Sequence, residues 1–142
     1  MKGSVGKGGA KPSGEVVEIL AGCGAETREM MLETRAAILK MFPALIESAD
    51  VKSRVIGYGY GAKYADMICS MMPAKGWVTL GIAYAAAFPD PQKILEGTGK
   101  VHRHVKIRNK ADLESAGLKA ILKLSNEGAL ARGVKQGKKG EK

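Results

Sequence analysis

The sequence predicts an α+β domain built on an antiparallel sheet, and three observations carry that prediction. Residues 77–88 (WVTLGIAYAAAF) open on a strand alternation with apolar atoms on both faces, as expected for a strand inside a sheet. The PAKG turn at 73–76 joins it to the apolar run 66–72 (DMICSMM), and strands joined by so short a turn must be antiparallel. The whole chain reads helix, helix, three strands, a short helical turn, a fourth strand and a last helix, with no long crossovers between strands.

Taken in order, Val16, Val17, Ile19 and Leu20 form an apolar patch between Gly14 and the glycines at 22 and 24, which predicts a short helix with a glycine stop. A longer helix is expected over 25–41. Met31, Leu32, Ala36, Ile38, Leu39 and Phe42 supply its apolar face, and Pro43 ends it, because the residue before a proline avoids helical backbone. Residues 43–49 read as a connector.

In the stretch 51–64, Val55, Ile56, Tyr58 and Tyr60 favour strand while Gly57, Gly59 and Gly61 repeat at alternate positions. One face is glycine, open to a close backbone neighbour or a bend, and the other is aromatic. Pro89 and Pro91 around Asp90, then Ile94 and Leu95, predict a helical turn over the sheet edge. In the last strand Val105 and Ile107 face one way with Arg103, and His102, His104, Lys106 and Arg108 face the other. Asn109 caps a final helix, with Asp112 reaching back, and Leu113, Leu118, Ile121 and Leu122 form its stripe up to Gly128.

The 142 residues carry a net charge of +9, which invites a nucleic-acid reading. The distribution argues against it. Residues 1–13 contribute +3 and 129–142 contribute +4, so residues 14–128, the expected domain, hold only +2. Both end segments are rich in Gly and Lys and poor in large apolar residues, so they are expected to be disordered basic tails. Such tails can touch phosphate backbones without sequence preference, which makes non-specific nucleic-acid contact an alternative function. No apolar run reaches the roughly 20 residues of a spanning helix, and residues 1–13 lack a secretory apolar core; the expected setting is cytoplasmic, without a membrane partner. Cys23 and Cys69 show no metal-ligand spacing; Cys69 reads as a small buried hydrophobe, Cys23 as more exposed among its glycines.

No catalytic motif stands in the chain. The GxGxG of 57–61 matches neither a phosphate loop nor a dinucleotide fingerprint, and neither cysteine has a histidine near it in sequence. Glu26, Glu29 and Glu33 stack along one helix ridge, the one arrangement that could hold iron or another oxygen-preferring metal. The stronger reading is a solvated acidic face, since Glu26 and Glu29 sit near the helix start, where negative charge is favourable. The favoured expectation is a binding module with no cofactor. Its candidate site is the cationic set Lys100, His102, Arg103, His104, Lys106 and Arg108, with Tyr58 and Tyr60 beside it if the strand order allows. The ligand would be a small anion or an acidic protein segment. Arg103, turned toward the core, should pair with Glu96 or Asp90 or line a pocket.

The run from Leu80 to Arg108 resembles the YdhG-like family of small bacterial domains of unknown function. The residues that carry it are Leu95, Glu96, Gly97, Gly99 and Lys100, followed by Arg103 and His104. Weaker similarity extends from about Gly14 to Leu130. Where members of that family often have Trp-Gly-x-Pro, this chain has Tyr58, Gly59, Tyr60 and Gly61. The resemblance implies an α+β fold with an antiparallel sheet. Some relatives are described as frataxin-like iron chaperones, so the resemblance also implies iron–sulfur assembly as an alternative role.

Overall fold

The structure, a computed structural model, describes residues 11–61 and 63–140. Helix α1 (Gly14–Ala21) starts on Ser13, whose hydroxyl accepts a hydrogen bond from the Val16 amide at 3.3 Å. It buries Val16, Ile19 and Leu20 and leaves Val17 in solvent. Arg28 closes its far end by donating to the carbonyls of Leu20 and Cys23 at 3.0 and 2.9 Å. Helix α2 (Ala25–Met41) has the predicted bounds, but its buried stripe is Thr27, Met31, Thr34, Arg35, Ile38 and Leu39. Leu32 and Ala36, expected inside, are exposed. Arg35 is buried because a partner waits for it in the sheet.

That sheet has five strands: β1 (Ile46–Asp50), β2 (Val55–Gly59), β3 (Met67–Pro73), β4 (Val78–Ile82) and β5 (Arg103–Ile107), in sequence order and antiparallel throughout. The predicted antiparallel α+β class holds, with one strand more than the expected four. Strand β1 occupies much of what reads as a connector. Glu47 faces inward there, fully buried, where its carboxylate takes Nε and Nη2 of Arg35 at 2.7 and 3.1 Å and the Tyr58 hydroxyl at 2.7 Å. A glutamate reads as solvent-facing in sequence, so the β1 alternation was hidden by the residue that anchors it.

Between Tyr58 and Gly59 the β2–β3 register shifts by a bulge. A side chain on Gly59 would stand 2.5 Å from the Asp66 carbonyl oxygen, so the close backbone approach expected of the glycine repeat is realised there. The β3–β4 turn pairs Pro73 with Val78, and Gly76 takes φ +100°. The core forms on one face of the sheet, where Ile56, Met71, Leu80 and Ile107 meet Met31, Ile38, Leu39 and Leu118.

The predicted final helix is two. Helix α3 (Lys110–Glu114) is capped by Asn109, which accepts from the Asp112 amide at 2.9 Å. The chain then breaks at Ser115, whose hydroxyl accepts from the Leu118 amide at 3.1 Å and so caps α4 (Ala116–Gly140). Gly128 does not end α4. The helix continues through Gly140, with Ala129 buried and Arg132 donating to the Ala65 carbonyl at 2.9 Å, so residues 129–132 belong to the packed fold and not to a tail. Of the expected N-terminal tail 1–13, residues 1–10 lie outside the described residues, as do 141–142 at the other end. Among the described residues no helix is long and apolar enough to cross a membrane.

Candidate functional site

The connector before β5 is built on Asp90 and on the glycines at 97 and 99. The Asp90 carboxylate accepts the amides of Ile94 and Leu95, both at 2.9 Å, and closes a turn that holds Lys93 in left-handed backbone, φ +54°. For a side-chain-bearing residue that conformation costs roughly 1–2 kcal/mol. The chain then lays Glu96 against β5: its amide donates to the His104 carbonyl at 2.7 Å, and the His104 amide donates back at 3.1 Å. Gly97 takes φ +107°, and a side chain on Gly99 would stand 2.8 Å from the His102 carbonyl oxygen. Leu95-Glu96-Gly97-x-Gly99 is therefore a tight loop whose glycines are needed to fold it back onto β5.

Past β5, the Arg108 amide donates to the Asp112 carboxylate at 2.9 Å, which sets α3 beside the strand end. The three segments enclose a concavity of about 190 Å³, lined by Lys93, Glu96, Lys106, Arg108, Asp112 and Ser115 among others. Lys106 lies 4.8 Å from the Trp77 ring centre and 3.6 Å from Glu96 Oε1. At that distance the pair attracts but is not hydrogen-bonded, so the ammonium keeps its donors and the carboxylate its acceptors. The side chains of Lys93 and Arg108 have no ion-pair or hydrogen-bond partner among the described residues.

Of the residues expected to form a site, the concavity gathers Lys106 and Arg108. Lys100 is exposed and outside it. His102 stands at the other end of the strand, where its Nδ1 accepts from the Tyr84 amide at 2.9 Å and its ring meets the Tyr84 ring edge-on. His104 is half-buried against Gly97. Arg103 does share the side of Val105 and Ile107, but it donates to the Gly99 carbonyl at 2.8 Å rather than to a carboxylate. Asp90 is engaged by backbone amides, and Glu96 faces Lys106.

Tyr58 and Tyr60 do not join the cationic strand, because β3 and β4 separate β2 from β5. Tyr58 lies in the core, and burial first, then the Glu47 carboxylate, pushes its phenol far above the ordinary range. It is a permanent donor to Glu47. Tyr60, whose phenol is also raised, chiefly by burial, donates to Asn126 of α4. Cys23 is buried rather than exposed, its thiol directed at the Ile19 carbonyl. Burial pushes the Cys69 thiol well up, so it stays protonated. Glu26 and Glu29 point to solvent and Glu33 is half-exposed. Among the described residues no group of three His, Cys, Asp or Glu side chains could hold a metal ion.

Sequence reasoning missed Lys93 and Glu96 as site members. Asp90 between Pro89 and Pro91 signals a turn, but not that its carboxylate takes the amides four and five positions on, which is what places Lys93 and Glu96. Larger concavities lie elsewhere among the described residues. One, about 470 Å³, has Cys23, Thr27, Arg54 and Lys75 in its wall; another, about 390 Å³, has Val55, Met67, Ser70, Gly81 and His102 on the sheet face away from the core. Compared with known proteins, the chain matches no family model, no curated protein and no solved structure.

Proposed function

We propose that this chain is a small binding module for a compact anion, held where the 90–96 turn, β5 and the α3–α4 junction meet. The observation that carries this reading is the convergence of Lys93, Lys106 and Arg108 on one concavity with their donors unspent. Cations without hydrogen-bonded protein acceptors are available to a carboxylate or phosphate, and the planar Arg108 guanidinium suits either bidentately. A left-handed Lys93 fits a local strain maintained at a binding site.

The volume limits the ligand. About 190 Å³ falls below the roughly 300–1,000 Å³ of drug-sized pockets, which favours a single small anion over a nucleotide. Binding rather than catalysis is the proposal, because no histidine or cysteine stands in this wall to activate Ser115, whose hydroxyl already accepts from Leu118.

Calorimetric titration with succinate at low salt tests the reading. Binding should disappear in Lys106→Gln/Arg108→Gln and weaken in the wild type as salt approaches physiological strength, where charges are screened beyond about 8 Å. An isotherm that the double substitution leaves unchanged would refute it.

A further inference from the structure

The wall that carries three cations also carries two carboxylates, Glu96 and Asp112. A carboxylate is acceptor-only, so against a fully ionised anion each one repels and offers no hydrogen bond. A ligand that brings its own positive donor reverses both terms. Building on the anion-binding reading above, we infer that the ligand is a small zwitterion, an α-amino acid with its carboxylate on Lys93, Lys106 and Arg108 and its ammonium on Glu96.

Three features support this assignment over plain charge neutralisation. Glu96 Oε1 stands 3.6 Å from Lys106 Nζ, so the pair leaves a gap where direct contact would have consumed both. Asp112 is held by two backbone contacts, its carboxylate accepting from the Arg108 amide and its own amide donating to the Asn109 cap of α3, which fixes the second carboxylate in the wall without a side-chain cation on it among the described residues. The space also fits. About 190 Å³ corresponds to roughly six waters at about 30 Å³ each, close to the bulk of a small free amino acid.

Aspartate and succinate share one four-carbon dicarboxylate skeleton and differ by the ammonium group. Net charge alone favours succinate, the more negative of the two, so the comparison opposes the inference to the bland expectation. Amide NMR titrations at pH 7 of the wild type and of Glu96→Gln, with each compound, provide the test. Aspartate should bind the wild type at least about tenfold more tightly than succinate, equivalent to 1.4 kcal/mol, and Glu96→Gln should reduce that preference to threefold or less. Equal affinities, tighter succinate binding, or an aspartate preference that survives Glu96→Gln would overturn the zwitterion inference while leaving anion binding in place. No perturbation of residues 93–115 by either compound at millimolar concentration would overturn the anion-binding reading itself.

Discussion

At opposite edges of the sheet the molecule places the same three chemical groups, a cation, a carboxylate and an aromatic ring, in two different settings. On the β1–β2 edge Arg35, Glu47 and Tyr58 are sealed in: the ion pair closes at 2.7 Å with side chains 8% and 1% exposed. On the β5 edge Lys106, Glu96 and Trp77 stand open, with the pair at 3.6 Å and the charged side chains 31% and 41% exposed. Burial decides what each set can do. In the first, desolvation forces every polar atom into a fixed partner, and the cluster ties α2 to β1 and β2. In the second, water can solvate either charge, so the pair contributes little to stability and remains available to a ligand.

The comparison breaks most visibly at Glu47. Glu47→Gln leaves the Arg35 guanidinium buried without its counter-charge, and stability should fall by about 3–5 kcal/mol, read as a shift in the denaturant midpoint. Glu96→Gln, the matching change on the open edge, should move stability by less than about 1 kcal/mol. Equal losses at the two positions would mean that burial does not separate the sets.

A smaller effect should appear at alkaline pH. The folded Tyr58 phenol keeps its proton past the pH of about 10 at which an unfolded tyrosine ionises. Its contribution is therefore whole below about pH 10 and falls as pH rises above it. The Cys69 thiol, also raised, adds the same sign from about pH 8.5 upward. Between pH 9 and 11 the wild-type midpoint should fall more steeply than that of Tyr58→Phe, with parallel slopes as the contrary result.

The same contrast explains what could be read from sequence. Helix α2 and the β3–β4 hairpin were legible because their signals are local: Pro43 stops the helix, PAKG makes the turn, and Val78, Leu80 and Ile82 alternate into the core. Strand β1 was not, because its deepest side chain is an acid whose burial depends on Arg35, twelve residues back, and on Tyr58, eleven residues ahead. Gly128 looked like a helix stop, yet Ala129 packs and Arg132 reaches the Ala65 carbonyl, a contact 67 positions away that no local pattern records. At the candidate site, the outward face of β5 gave Lys106 and Arg108 by alternation. Lys93 and Glu96 were missed because a left-handed lysine and a backbone bridge to His104 are tertiary facts.

The most direct test of anion binding at the β5 edge is a map of succinate-induced amide shifts on the wild-type protein at low salt. Saturable changes should be confined to residues 93–96, 105–108 and 112–115, with the Arg35–Glu47–Tyr58 edge silent, and should disappear in Lys106→Gln/Arg108→Gln at an unchanged denaturant midpoint. Shifts that instead gather around Arg54 and Lys75, or that persist in the double variant, would contradict it.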